Sequence, residues 1–247
     1  MLVVLPPSET KAPGGAGAPL DLGKLGFPGL NPAREEIARD LVALCGQRPD
    51  EALDVLGISG RKADEVALTA ELFDSPTAPA LERYTGVLFD ALDQESLPES
   101  AKGRLAVGSA LFGLERGLDP IPFFRLSGQT KLPKPDGSRP TMRARFGTLI
   151  SEELARVAEE GLVVDLRSGT YRQLGRAREA VTVRVETERD GARKVVSHDN
   201  KRHKGLLARA LALAPEEPAD AAGVADIARQ AGFSFEGPAG SEVTLVV

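Results

Sequence analysis

Both histidines of the chain and four cationic side chains stand together in residues 195–209. If a strand ends before this segment's helix begins near residue 199, Lys201 and Lys204 can converge with His198 at the start of that helix. Free backbone N–H groups at a helix N-terminus also attract anions. The segment therefore predicts anion binding or proton transfer. The alternative is a basic first turn that only faces solvent.

Charge is unevenly distributed along the sequence. The whole chain has a net charge of −5, yet residues 166–209 hold twelve Lys and Arg against five Asp and Glu. An acidic body with a basic patch suits a phosphate-bearing partner, either nucleic acid or nucleotide. The alternative is a basic β-hairpin whose charges protect an exposed edge from aggregation.

Two short apolar runs end in polar loops and predict the elements that position this chemistry. Leu2–Leu5 and Leu162–Leu166 are typical of buried strands. The first delivers residues 6–11 to a strand end, and the second delivers residues 167–171. Since strand-end loops commonly carry function, the two loops predict one shared site.

Composition sets limits on the class of protein. The 247 residues are 42% hydrophobic, only 4% aromatic and without Trp, which predicts a soluble globular chain with an aliphatic core. Cys45 is the only cysteine, so no intrachain disulfide can form, and we interpret it as a core thiol in a reducing compartment. Met1–Leu5 is too short for the apolar core of a signal peptide, and no run approaches a membrane span. We expect a cytoplasmic protein with no membrane partner.

Periodicity and turn residues predict the remaining elements. Residues 12–29 are rich in Gly, Pro and Ala and predict a mobile loop. Alternation of Val181, Val183 and Val185 with polar residues predicts a β-hairpin over residues 180–196. The other predicted elements are helices at 31–44, 80–92, 146–161 and 218–232, a strand or helix at 104–112, and a closing hairpin at 233–247.

Residues 49–73 are helical in pattern with one interruption, and this interruption resembles a helix-hairpin-helix motif. In that motif a Gly-rich turn points backbone N–H groups at a DNA phosphate. Gly57, Gly60, Arg61 and Lys62 are the candidate DNA contacts. Ser59 replaces the second glycine of the motif and Gly60 comes one position late, so a plain αα-hairpin turn is the alternative.

The same loops carry a resemblance to a known family. The matching segments are Leu5-Pro-Pro-Ser-Glu-Thr-Lys11, Arg83-Tyr-Thr-Gly86, Ser109-Ala-Leu-Phe-Gly113, Asp119-Pro-Ile-Pro-Phe-Phe-Arg125, Val164-Asp-Leu-Arg-Ser-Gly-Thr-Tyr171, Ser197-His-Asp-Asn-Lys201 and Lys204-Gly205. They occur in one order along nearly the whole chain. Together they resemble the YaaA peroxide-stress protein family.

The resemblance implies a mixed α/β fold, with residues 1–247 as a single domain of unusual topology. A central mixed sheet would be surrounded by helices, with a helix-hairpin-helix-like element and a positively charged cleft. It also implies DNA binding and a role in limiting oxidative DNA damage and free iron under hydrogen peroxide. Phe124 and Phe146 depart from the family pattern, which more often has tyrosine and tryptophan there. The cleft residues that the resemblance implies are Ser8, Lys11, Arg83, Tyr84, Arg125, Ser168, Tyr171, Lys201 and Lys204.

The residue types support such a site independently. Arg167 joins the cations above, and cations gathered from five segments are costly to bury without an anion. A phosphate would satisfy them. The alternative is that they pair with one another or anchor loops.

Whether the chain is an enzyme stays open. Glu9 or His198 could move a proton, but the sequence has no nucleophile elbow, P-loop or metal quartet, so we expect no metal and no cofactor. Two functions follow. The first is a DNA-binding, peroxide-protective protein, acting on DNA that is perhaps distorted or single-stranded. The second is an enzyme acting on a nucleotide, nucleobase or similar small anion. The oligomeric state is not predicted.

Overall fold

The computed structural model describes residues 1–189, 192–195 and 199–246. These residues form a mixed α/β arrangement, as predicted. The ten strands among them are β1 (Leu2–Leu5), β2 (Ala78–Pro79), β3 (Leu105–Ser109), β4 (Gly113–Arg116), β5 (Pro120–Ile121), β6 (Val163–Asp165), β7 (Val181–Arg189), β8 (Ala192–Val195), β9 (Ser234–Ala239) and β10 (Glu242–Val246).

Helices surround the sheet. The eleven α-helices in the described residues are α1 (Asn31–Gln47), α2 (Pro49–Leu56), α3 (Asp64–Ala70), α4 (Ala80–Arg83), α5 (Val87–Leu92), α6 (Glu99–Lys102), α7 (Met142–Phe146), α8 (Leu149–Glu160), α9 (Gly169–Arg172), α10 (Asp199–Leu213) and α11 (Ala221–Gln230).

The main sheet is mixed and follows the order β4-β3-β1-β6-β7-β10-β9, with β8 paired to β7. Strand β1 runs parallel to both β3 and β6. Strands β6 and β7 are parallel, as are β7 and β10, whereas β4, β8 and β9 join as antiparallel partners. All four residues of β1 are buried, which confirms the predicted central strand. A short β2–β5 pair lies apart from this sheet.

Several predicted elements are confirmed. The hairpin over residues 180–196 is the antiparallel β7–β8 pair, and the closing hairpin is β9–β10. The basic helix begins at Asp199, where the sequence places it. Cys45 is buried on α1, and burial raises the pKa of its thiol to about 12, as suits a core thiol.

Two predicted helices are wrong in their extent. The helix expected over 80–92 is divided into α4 and α5, because Tyr84 adopts an extended conformation and pairs with Lys11 in an isolated β-bridge. Gly86 follows with a φ of 99°, a left-handed conformation that no helix interior contains. The helix expected over 146–161 is likewise divided at Gly147, between α7 and α8. The open choice at 104–112 is a strand, β3.

The segment 12–29 has anchors in its second half. Leu25 and Phe27 are buried, and the backbone N–H groups of Gly26 and Gly29 donate to Asp119 and Glu153. Short 3-10 helices lie at 22–24 and 28–30. Residues 13–19 are exposed, and for these the expected mobility stays a prediction.

Helix α10 packs closely against α5. A side chain at Gly205 would overlap the carbonyl oxygen of Leu88, so the absence of a Cβ permits this crossing. Leu207, Ala208 and Leu211 of the same helix are buried. This packing holds Lys204 against the end of β6.

Candidate functional site

Three parallel strands bring their carboxyl ends to one edge of the sheet. The register pairs Leu5 of β1 with Val107 of β3, and Val4 with Asp165 of β6. The polar loops after β1 and β6 therefore lie at the same edge, as the sequence predicts. Ligands of open α/β sheets bind outside the carboxyl ends of strands. We call this region the strand-end site: residues 8–11, 84, 109, 115, 125, 165–171 and 204.

A buried carboxyl group lies at the back of the strand-end site. The side chain of Glu115 on β4 is fully buried. It accepts a 2.6 Å hydrogen bond from the Tyr84 hydroxyl and a 3.0 Å hydrogen bond from the Ser109 hydroxyl. Burial raises the pKa of Glu115 to about 7, and the two hydrogen bonds only partly oppose that rise. The pKa of Tyr84 lies well above its ordinary value, chiefly through burial and then through the nearby Glu115 charge.

The Lys11 amine stands in front of this group. Its Nζ donates to the Ser8 carbonyl at 3.1 Å and lies 4.4 Å from the centre of the Phe124 ring and 5.1 Å from that of Tyr84. Burial lowers the pKa of Lys11 to about 7, and the neighbouring Arg125 charge lowers it further than burial alone would. An amine and a carboxyl group that both titrate near neutrality can exchange protons with a bound molecule.

Arg83 lies at the edge of this site but points into the protein. Its guanidinium is 1% exposed and donates to backbone carbonyls of Ala12, Gly14, Pro76 and Ile121. The Gly14 bond measures 2.7 Å. Every contact is with a loop carbonyl, so the geometry favours the loop-anchor alternative over anion binding for this residue.

Arg167 is also committed within the protein. It forms a two-pronged ion pair with Asp165, with Nε–Oδ1 and Nη2–Oδ2 distances of 2.9 Å, and donates to the Gly175 carbonyl at 2.8 Å. Both side chains of the pair are almost fully buried. A buried charge paired in this way has little capacity left for an external anion.

Lys204 reaches the same edge from α10. Its Nζ donates to the Leu166 carbonyl at 2.9 Å, at the end of β6. Burial lowers the pKa of Lys204 to about 8, with a further contribution from the Arg172 charge. This lysine therefore joins α10 to the sheet.

Arg125 is less completely buried, with 14% of its side chain exposed. Its Nη1 donates to the Glu9 carbonyl at 2.7 Å, and its Nε lies 3.3 Å from Glu65 Oε2. The other Glu65 oxygen accepts from Lys62 Nζ at 3.2 Å. Glu65 thus links the strand-end site to the turn that follows α2.

The other predicted site residues lie around this centre. Ser8 Oγ is 3.0 Å from the Thr10 hydroxyl. The Tyr171 hydroxyl accepts a 3.3 Å hydrogen bond from the Gly128 N–H, and burial raises the pKa of Tyr171. Glu9, Ser168 and Lys201 are exposed. His198 falls outside the described residues.

Sequence reasoning missed Glu115 and Ser109 as parts of this centre. A glutamate in Gly113-Leu-Glu-Arg116 looks like an ordinary solvent-facing charge. The available signal is its place in a strand directly after the buried β3, where alternation would direct one polar side chain inward.

The turn between α2 and α3 forms a second candidate region, which we call the hairpin, residues 57–62. Gly57 has a φ of 65° and ends α2 in a Schellman motif, in which the Ile58 N–H donates to the Leu53 carbonyl and the Gly57 N–H to the Asp54 carbonyl. Ile58 is buried and the rest of the hairpin is exposed. The predicted pair of helices is therefore present.

The hairpin leaves backbone donors open. In the described part of the chain, the N–H groups of Ser59, Gly60 and Arg61 have no hydrogen-bond acceptor. Arg61 forms no ion pair with any described residue, whereas Lys62 has its exposed pair with Glu65. Three open amides beside a guanidinium can accept an anion.

A separate cavity of about 760 Å³ lies between α8 and the segment 173–180. Arg143, Arg176, Glu152 and Leu174 are among its lining residues. No predicted site residue lines it, so we place the candidate chemistry at the strand-end site, where groups with shifted pKa values meet.

Within the described residues, no helix is long and apolar enough to cross a membrane. The same residues hold no cluster of three or more His, Cys, Asp or Glu side chains that could bind a metal ion.

Comparison with known proteins covers nearly the whole chain. A family model described as peroxide stress protein YaaA matches residues 1–238. A UPF0246 protein of Corynebacterium efficiens is 56% identical over 100% of this chain and 99% of its own length. UPF0246 proteins of Streptomyces coelicolor and Laribacter hongkongensis are 42% and 31% identical, over 97% and 90% of this chain and 93% and 91% of their own lengths.

Proposed function

Because the chain belongs to the peroxide stress protein YaaA family, we propose that it is a cytoplasmic DNA-binding protein that limits oxidative DNA damage under hydrogen peroxide. Family membership supports the role in peroxide stress. DNA binding is our addition, and the hairpin is the element that we expect to bind the DNA backbone. The observation that carries it is the run of three open amides at Ser59, Gly60 and Arg61.

The chemistry of the hairpin suits a phosphate group. Phosphate oxygens accept hydrogen bonds from backbone N–H groups, and most protein–DNA hydrogen bonds go to phosphate and sugar. Arg61 can add a charge-assisted bond. Lys62 can exchange its exposed contact with Glu65 for a phosphate at small cost, because exposed ion pairs contribute only about 0–1 kcal/mol.

Neighbouring acids limit the affinity that we expect. Asp54 and Asp64 flank the hairpin, and the chain as a whole carries a net charge of −5. Long duplexes are repelled by the acidic body. We therefore propose binding that does not depend on sequence, is weak at physiological salt and is stronger for distorted or partly single-stranded DNA.

Fluorescence anisotropy of labelled duplex, bubble and single-stranded DNA over a salt series tests this proposal. The double variant Arg61→Ala/Lys62→Ala should weaken binding and reduce the slope of log affinity against log salt by about 1.8 for duplex DNA, since each lost phosphate contact contributes about 0.9.

The double variant Lys24→Ala/Arg229→Ala is the matched control, because it removes the same two charges from exposed positions on other elements. It should leave the slope nearly unchanged. Absence of DNA binding at physiological salt, or an equal loss in the control, would refute the proposal.

A second candidate function is an enzyme that acts on a nucleotide, nucleobase or similar small anion at the strand-end site. The observation that favours it is the pair Lys11 and Glu115, whose pKa values both lie at about 7. Arg125 and Lys201 would provide positive charge for the anion, and Glu9 or His198 could act as the proton shuttle. The basic cleft expected from the resemblance would then be this partly acidic edge.

Competition separates the two functions. Unlabelled nucleotides and nucleosides that bind at the strand-end site should leave DNA on the hairpin. A substitution Glu9→Gln should reduce turnover and preserve ligand affinity if Glu9 is the shuttle, and it should not alter DNA binding. Displacement of DNA by a mononucleotide at matched salt would instead place both ligands in one site.

A further inference from the structure

The surroundings of Lys11 differ from those of an ordinary surface lysine. The residue is half-buried, and its amine contacts two aromatic ring faces and one backbone carbonyl. Among the described residues, no carboxylate lies within ion-pair distance of Nζ. Such a setting disfavours the ammonium form, because burial removes water and no counter-charge replaces it directly.

The charged groups around Lys11 act in both directions. Arg125 disfavours the ammonium, whereas the more distant carboxylates Glu115, Glu65 and Glu9 favour it. Burial and Arg125 prevail, and the pKa of Lys11 falls to about 7. About half of the molecules therefore carry a neutral amine at pH 7, against roughly one in several thousand for an unperturbed lysine.

We propose that Lys11 is a nucleophilic amine that forms an imine with an anionic aldehyde or ketone bound at the strand-end site. Lysines become nucleophiles when they are desolvated beside apolar groups or another cation, and Lys11 has both. The inference rests on the second candidate function, that this edge is a reaction site, and does not depend on DNA binding.

The step needs no redox partner. The amine nitrogen forms a bond to the carbonyl carbon while the π electron pair moves to oxygen, and a proton passes from nitrogen to oxygen. The carbinolamine hydroxyl then takes up a second proton and leaves as water, and a C=N bond remains after nitrogen loses its proton. Water is the only product besides the imine.

Glu115 and Tyr84 are placed to serve this proton traffic. Glu115 holds a proton in a large fraction of molecules at pH 7, and the Tyr84 hydroxyl joins it at 2.6 Å, with the Tyr84 ring lying beneath the Lys11 amine. Ser109 fixes the second oxygen of Glu115. In the proposal Glu115 supplies the proton for the departing water and recovers one from the imine nitrogen.

Reductive trapping of the whole protein tests the inference. Pyridoxal 5′-phosphate serves as the anionic aldehyde, borohydride converts any imine to a stable amine, and peptide mass spectrometry measures labelling at each lysine. At pH 7 and limiting probe, Lys11 should be labelled at least about tenfold faster than the exposed Lys24, since its neutral fraction is roughly a thousandfold larger. Labelling of Lys11 at or below the rate of Lys24 would overturn the inference.

The pH profile adds a signature that simple exposure cannot produce. The labelling rate of Lys11 should level off above about pH 7, whereas that of Lys24 should still increase at pH 9. Lys204 is the internal control, because its pKa is also lowered but its amine is buried on the Leu166 carbonyl, so it should label slowly. The wild-type profile needs no variant to fold. A Lys11 profile parallel to that of Lys24 would contradict the proposal.

The variant Lys11→Arg separates this inference from the function beneath it. It keeps a positive charge and should abolish the labelled peptide. If nucleotides bind the wild-type protein and Lys11 is never trapped, the imine chemistry fails while the second candidate function stands. If no small anion binds or protects Lys11, that function fails even where trapping succeeds.

Discussion

The strand-end site and the hairpin hold the same kinds of side chain and use them in opposite ways. Arg167 at the strand-end site is buried against Asp165, and Lys204 is bonded to a backbone carbonyl. Arg61 of the hairpin is exposed and has no ion pair in the described part of the chain. Burial decides the difference, because a buried cation must have its partners within the protein. Cations at the strand-end site stabilise the fold, whereas those of the hairpin are available to a ligand.

Lys11 is the exception that gives the strand-end site its chemistry. It is partly buried like its neighbours, yet it has only one hydrogen bond and two ring contacts. A cation that is desolvated without a direct counter-charge lowers its pKa instead of forming a pair. The same physical cost therefore produces a structural ion pair at Arg167 and a reactive amine at Lys11.

The substitution Arg167→Met should have the largest effect on stability. It leaves Asp165 buried without its partner, at a cost of about 3–5 kcal/mol in the free energy of unfolding. Urea denaturation measures the loss. Arg61→Met is the matched control and should change stability by less than about 0.5 kcal/mol. Equal losses in the two variants would remove the distinction between the regions.

Glu115 should make stability depend on pH. Its pKa rises from 4.5 to about 7 on folding, so the native state holds the extra proton and the stabilisation, complete below pH 4.5, disappears as the pH rises through 7. Relative to Glu115→Gln, the wild-type protein should lose on the order of 3 kcal/mol between pH 4 and 8. Denaturation curves of both proteins across this range measure the difference. A constant difference would show that Glu115 is not protonated in the fold.

Gly57→Ala tests the conformation of the hairpin. The φ of 65° at Gly57 is left-handed, and a Cβ there costs about 1–2 kcal/mol. DNA affinity should also fall, because the turn presents the open amides. Gly60→Ala is the control, since no atom lies within 4 Å of the added methyl group. Thermal unfolding and anisotropy should both separate the two variants; identical behaviour would argue against a built turn.

Tyr84→Phe should have the smallest effect. It removes one hydrogen bond to Glu115, at about 1 kcal/mol. Because that bond lowers the pKa of Glu115, the pH transition should move upward in the variant. The stability difference between Tyr84→Phe and wild type, followed from pH 5 to 9, reports this shift. A downward movement would mean that Tyr84 is not the donor.

The sequence predicts the framework of this protein well because hydrophobic patterns report local structure. Leu2–Leu5, the hairpin over 180–196 and the start of α10 all follow from such patterns. The division of the helix expected over 80–92 does not, because it depends on the bridge between Tyr84 and Lys11, distant in sequence. Tertiary contacts override local propensity at such positions.

The strand-end site could be located from the sequence but not understood from it. The sequence places Arg83 there, yet its acceptors include a carbonyl at Gly14, far along the chain. Glu115 has no sequence mark, since burial alone distinguishes it from a surface glutamate. Residue type identifies a charge, and only the folded chain identifies its partner.

Backbone amide shifts provide the most direct test of the difference between the two regions. A ¹⁵N-labelled protein would be titrated with a short DNA duplex at low salt while the amide resonances are followed by NMR. We predict that Ser59, Gly60 and Arg61 shift most and that amides beside Arg83 and Arg167 stay unchanged. Shifts concentrated at the strand-end site, with the hairpin amides unaffected, would contradict the account.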